Sequence, residues 1–386
     1  MTLPGGYHIF ADSGAPEGLE HYPTVVIIHG YVWHAGVFSR LLPLAPSRRS
    51  RIILLNRKEY PGAAPYTAEE RALLPDLLHD SPTQETETRL ATEKLQTFMK
   101  LCAQELYEYL QALVVERHIP PACRTAQDCG IVLAGWSLGA CWMTALLTYV
   151  ARFPVGDVPL REYIRRVILY DAPTRLLGYP YPAHDPYNPF ADDSLTYEER
   201  ERVFTTWITS YYAHGDTVDT LERRKPLDAP PPTIASISPE ELPTMLHVPP
   251  GMPGGSDWAL LYGGVKYDIF TGLRKGTIFL APEPEIAAGV GGTDASARGS
   301  AARGDAWADV EVRYVWGECS VWEMPYAAMM LRQELEDARR TGSGLRQPRI
   351  RPVSILRVEG ANHFAHWDCP DRVLDAFLTS KVDFHA

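Results

Sequence analysis

One pentapeptide in this 386-residue chain has the residue types and spacing of a covalent catalyst: Gly135-Trp136-Ser137-Leu138-Gly139. Four apolar residues before it, Ile131 to Ala134, read as a short buried strand. The apolar run after it, Trp142 to Leu147, reads as the opening of a helix. In a strand–turn–helix of this kind the turn is so tight that its middle residue takes an unfavourable backbone conformation. Glycine on both sides lets neighbouring backbone pass without a Cβ clash. The strain lifts the Ser137 hydroxyl above the sheet edge and aims the first helical N–H groups at it. That geometry suits a nucleophile whose substrate develops an oxyanion. The pentapeptide alone also fits an ordinary surface turn, so the rest of the chain must supply its partners.

The elements that would position Ser137 follow a regular rhythm. Strand patterns cover Tyr7 to Gly14, Thr24 to Gly30, Arg51 to Asn56, Ile131 to Ala134, Val167 to Asp171, Val310 to Gly317 and Val353 to Val358. Helical spacing of apolar residues covers Thr86 to Glu116, Tyr197 to Tyr212, Met324 to Arg340 and Asp371 to Thr379. Strands alternating with helices predict an α/β fold with a mostly parallel, doubly wound sheet covered on both faces. The rhythm breaks between residues 174 and 306, a proline- and aromatic-rich insertion with a Gly/Ala/Ser stretch near 287–304 that reads as a linker. The expected organisation is a first core part at 1–173, a mainly helical cap at 174–306 over the strand carboxyl ends, and a second core part at 307–386.

Composition narrows the partners. A formal net charge of −11, with no basic run to offset it, argues against nucleic acid and anionic membrane. No stretch of about 18 apolar residues is present to span a bilayer. The six cysteines are scattered without C-x-x-C pairs, and no export signal opens the sequence, so reduced thiols and a cytoplasmic location are expected. Cys123 and Cys129 flank one loop and could pair. No metal-ligand spacing and no glycine-rich phosphate loop occurs, so neither metal nor cofactor is implied. Oligomeric state leaves no signature.

Four features in order resemble the α/β-hydrolase superfamily: the strand ending in His29-Gly30, the Asn56 to Ala64 loop, the elbow at Ser137, and Gly360-Ala361-Asn362-His363-Phe364 before a last helix. The resemblance implies a nucleophile–acid–histidine triad in that chain order. Ser137 takes the nucleophile's place and His363 the base's, with His366 three residues on as its rival. The acid has two candidates. In the commoner pattern it lies three residues beyond the glycine ending the penultimate strand, where this chain has Ser320, with Glu318 close by. In some members it ends the strand after the nucleophile helix, where Asp171 stands. The oxyanion hole implied by position uses the backbone N–H of Leu138 and of Tyr31, or of Val32 if the loop differs by one residue. Trp136 and Trp33, beside these loops, are candidate substrate contacts.

Serine at the elbow disfavours branches that form an alkyl-enzyme ester through an aspartate. The expected function is hydrolysis of a carboxylic ester, thioester or lactone of a small to medium apolar molecule. Two other outcomes fit the same residues: a ligand-binding relative without turnover, suggested by Ser320 at the usual acid position, and a lyase or carbon–carbon bond enzyme reusing the same base.

Overall fold

A computed structural model describes residues 4–78, 85–122, 129–280, 307–341 and 349–380. The linker expected near 287–304 and Cys123 lie outside the described residues. Seven strands form one sheet in the order β1-β3-β2-β4-β5-β6-β7. They are β1 (His8–Asp12), β2 (Pro23–Ile28), β3 (Arg51–Asn56), β4 (Gly130–Trp136), β5 (Ile164–Tyr170), β6 (Glu311–Gly317) and β7 (Val353–Val358). Only the edge strand β1 runs antiparallel.

Strands β2, β3 and β4 are buried along their whole length, as expected for parallel strands covered on both faces. Successive side chains serve opposite layers. Val26, Ile28, Leu133, Val167 and Leu169 join one core, while Val25, Ile27, Val132, Ala134 and Ile168 join the other. Full burial of each large aliphatic side chain contributes about 1.5–3 kcal/mol before the entropy of ordering it.

The longer helices among the described residues are α1 (Glu85–Arg117), α2 (Ala140–Tyr149), α3 (Tyr197–Thr209), α4 (Ser256–Lys266), α5 (Ile269–Ile278), α6 (Glu323–Thr341) and α7 (Pro370–Leu378). Helix α1 buries Leu95, Phe98, Met99, Cys102, Leu106, Leu110 and Leu113, one stripe at three- and four-residue steps. Helix α2 sits between α1 and the sheet, so nine of its ten residues are buried.

Helices α4 and α5 were not legible as helices, because four glycines (263, 264, 272 and 276) dilute their pattern. Helix α5 packs on α2: Thr148 Oγ1 donates to the Leu273 carbonyl at 2.9 Å and Thr277 Oγ1 to the Thr144 carbonyl at 3.2 Å. The later part of the insertion thus belongs to the helical layer beside the sheet.

The order of the sheet reverses between β2 and β4, which pair directly, with Ile28 opposite Gly135. In open parallel sheets ligands bind outside the strand carboxyl ends at such a switch point. Here the two loops that meet there are Gly30-Tyr31 and the Ser137 turn.

Candidate active site

Ser137 has φ +52°, a left-handed backbone that serine adopts at a cost. Two close approaches force it. A Cβ on Gly135 would lie 2.3 Å from the Gly139 carbonyl oxygen, and one on Gly139 would lie 2.6 Å from the His29 oxygen. Only glycine lets the turn fold back on its own strand and against the end of β2. Trp136 and Leu138 on either side are buried, whereas Ser137 stays partly exposed in a cavity.

Asp171 follows the last residue of β5, itself at φ +47°, and its N–H still donates to the Val315 carbonyl at 2.7 Å. Its carboxylate is fully buried and saturated. Oδ1 accepts the Gly317 N–H at 2.8 Å, and Oδ2 accepts the Ser320 hydroxyl at 2.7 Å. The His363 ring reaches the same Oδ2 through Nδ1 at 2.7 Å. With Nδ1 carrying the proton, Nε2 of His363 is left as the acceptor. Trp136 holds the His363 backbone as well, its indole N–H donating to the His363 carbonyl at 3.1 Å.

The structure therefore brings Asp171, not Glu318, to the histidine. Glu318 is turned outward, its side chain 38% exposed, paired with Arg357 at 3.2 Å and accepting the Gly360 N–H at 2.8 Å. The turn closing β6, with the Ser320 N–H on the Gly317 carbonyl at 3.1 Å, sends residue 318 to one side and residue 320 to the other. Ser320, which looked like a missing acid, is a hydrogen-bond donor to Asp171 at the end of the neighbouring strand.

His366 is not a second base at this site. Its ring is buried against Phe38 and Trp136, with centroids at 4.5 and 4.6 Å, and its Nδ1 meets the Tyr170 hydroxyl at 3.2 Å. Nε2 has no partner. Burial, and then the nearby His363, push its pKa well below the usual imidazole value.

Tyr31, Val32, Trp33, Trp136, Ser137, Leu138 and His363 line one cavity of about 80 Å³. The Val32 N–H is already engaged: it donates to the Tyr60 hydroxyl at 3.1 Å. Val32 itself, β-branched at φ +55°, is strained. Neighbouring backbone holds it there, with His247 N–H on the Val32 carbonyl at 2.7 Å and His34 N–H on the Met245 carbonyl at 2.8 Å.

Below this loop lies a network that sequence reasoning missed. Arg57 forks onto Asp257 of α4 at 2.8 and 2.7 Å, and its Nη2 also donates to the Gly30 carbonyl at 2.8 Å. The Tyr60 hydroxyl donates to the same Asp257 at 2.5 Å. His29, buried and 3.1 Å from the Arg57 N–H through Nε2, carries its proton on Nδ1, toward the Gly30 carbonyl at 3.0 Å. Burial and then the Arg57 charge keep it neutral. Two hundred residues separate Arg57 from Asp257, so no local spacing could have announced the pair.

Among the described residues no group of three or more His, Cys, Asp or Glu could hold a metal ion. No helix among them is long and apolar enough to cross a membrane. The strand order, the strained serine turn at the switch point and the histidine after the last strand make this an α/β-hydrolase fold. No protein-family model and no curated protein matches the chain. Solved structures that align with it include the epoxide hydrolase VrEH1 from Vigna radiata, at 13% identity over 97% of this chain and 94% of that one, TM-score 0.45. The carboxylesterase CesB from Bacillus subtilis aligns at 15% identity over 97% and 88%, TM-score 0.42. The peroxisomal alpha-beta-hydrolase Lpx1 from Saccharomyces cerevisiae aligns at 11% identity over 96% and 79%, TM-score 0.41.

Proposed function

We propose that the chain is a serine hydrolase cleaving a carboxylic ester, or a related thioester or lactone, of a small to medium apolar molecule. The observation that carries this reading is the 2.7 Å contact between His363 Nδ1 and the buried Asp171 carboxylate, on the wall of the cavity that holds Ser137. An alcohol ionises too weakly to attack at neutral pH, so it needs a base, and the base needs a fixed tautomer. Asp171 holds the proton on Nδ1 and offsets the charge that the imidazole gains. Nε2 then takes the Ser137 proton as Oγ bonds to the substrate carbonyl carbon. The carbonyl π electrons move to oxygen, where the Leu138 and Tyr31 amides receive the charge. Collapse expels the alcohol with the proton from Nε2. Water, deprotonated by the same nitrogen, then releases the acid and restores Ser137.

The segment between β5 and β6 acts as a cap in this reading, because Phe204, Trp207, Ile208, Leu261 and Tyr262 contribute the apolar roof. Trp33 and Trp136 form the floor beside the reacting carbonyl. No cofactor enters the scheme. The test is pre-steady-state hydrolysis of short p-nitrophenyl esters. A burst of one p-nitrophenolate per chain is expected, lost in Ser137→Ala. Steady hydrolysis that survives Ser137→Ala would remove the acyl-enzyme from the scheme.

A further inference from the structure

The cavity beside Ser137 is apolar except in one corner. Arg175, four residues beyond Asp171, lines it together with Asn188, Tyr262 and Glu323. Arg175 gives two of its donors to Glu323, Nη2 to Oε1 at 2.8 Å and Nε to Oε2 at 3.2 Å. Glu323 is fixed further by Asn188 Nδ2 at 3.1 Å, and its own backbone carbonyl takes the Thr174 hydroxyl at 2.7 Å. The side chains of the pair are 19% and 3% exposed. Burying an ion pair in an apolar wall is costly, and hydrophobic residues of similar volume would stabilise the fold at least as well. A functional reason for it lies in what remains unpaired.

Among the described residues neither Arg175 Nη1 nor the Tyr262 hydroxyl makes a hydrogen bond of good geometry, although the buried Tyr181 hydroxyl sits beside Arg175 and Glu323. Both side chains front the same cavity. Burial raises the Tyr262 phenol, against the pull of Arg175, so it stays protonated and able to donate. Glu323 already offsets the Arg175 charge. An anion placed there would meet the carboxylate as well as the guanidinium, whereas a neutral oxygen acceptor meets two donors.

We propose that Arg175 Nη1 and the Tyr262 hydroxyl bind a second, neutral carbonyl oxygen of the substrate, which makes the substrate an oxoacyl ester and not a plain alkanoate. This deepens the ester-hydrolase reading and rests on it for the position of the first carbonyl.

Binding to Ser137→Ala tests it without requiring turnover. The Kd of p-nitrophenyl hexanoate is compared calorimetrically with those of its 4-oxo and 5-oxo analogues. At least one oxo ester is expected to bind about tenfold tighter. That ratio is expected to fall below about threefold when Tyr262→Phe, which removes one hydroxyl, is added to Ser137→Ala. The same fall is expected with Arg175→Met/Glu323→Met, which leaves no buried charge behind. Ratios near one at both positions, or a preference that survives both variants, would overturn the proposal. So would tighter binding of the anionic mono-p-nitrophenyl adipate than of either oxo ester. Wild type that fails to form a covalent adduct with a fluorophosphonate would instead strike at the Ser137 reading, while the binding ratio would still decide the second carbonyl.

Discussion

Two adjacent residues at the end of β5 hold two histidines three residues apart, and the pairs have opposite characters. The buried Asp171 meets His363, a cavity-lining residue, at 2.7 Å. Tyr170 meets His366 at 3.2 Å in a sealed aromatic core. A carboxylate can stabilise an imidazolium, and His363 shares its cavity with Ser137. A phenol cannot supply that charge, and the packing around His366 leaves its Nε2 with no partner. The same side chain is thus placed where it could serve as a base in one setting and is packed as a structural filler in the other. Neighbouring charge and access decide which.

The largest expected effect breaks the first pair. Asp171→Asn should lower kcat on p-nitrophenyl esters by about 10³–10⁴-fold, because the amide favours the wrong histidine tautomer. A loss of less than tenfold would mean that His363 does not depend on this carboxylate. Ser320→Ala sharpens the same comparison from the next strand. Removing a hydrogen bond to a charged group should cost about tenfold in kcat, with KM little changed. An unchanged kcat would make Ser320 a spectator.

The second pair should reveal itself in stability. His366 is held neutral when folded, with a pKa well below the ordinary 6.5. The unfolded chain therefore binds more protons as pH falls through about 6.5, and folding stability from this group is lost on acidification. His366→Phe removes that linkage. Its stability relative to wild type should rise by up to about 1.4 kcal/mol per pH unit below 6.5 in urea titrations. A difference that stays flat from pH 8 to pH 5 would show that His366 is not buried as a neutral ring. The smallest effect belongs to Glu318→Gln, whose exposed carboxylate touches neither histidine. Its kcat should stay within about twofold of wild type, and a drop comparable to that of Asp171→Asn would reverse the assignment of the acid.

The strands and the elbow were legible because their signals are local. Each buried strand is a short apolar run, and Gly135 and Gly139 flank Ser137 at a spacing that close backbone approach dictates. His363 was legible by its register after β7. The choice between Asp171 and Glu318 was not, because it depends on which way a turn after β6 sends each residue. Arg57 and Asp257 illustrate the same limit more strongly. Their contact fixes the Gly30 loop, yet it joins residues whose local sequences carry no trace of each other. Helices α4 and α5 were hidden for a different reason: glycine lowers helix propensity, and only packing against α1 and α2 overrides it.

Covalent labelling reads directly the chemistry proposed for Ser137 as a nucleophile activated by His363. Wild type incubated with a fluorophosphonate should gain the mass of one phosphonyl group per chain, located by peptide mapping at Ser137. Ser137→Ala should gain none, and His363→Ala should label far more slowly. Absence of an adduct on wild type, or an adduct mapped to another residue, would contradict the assignment.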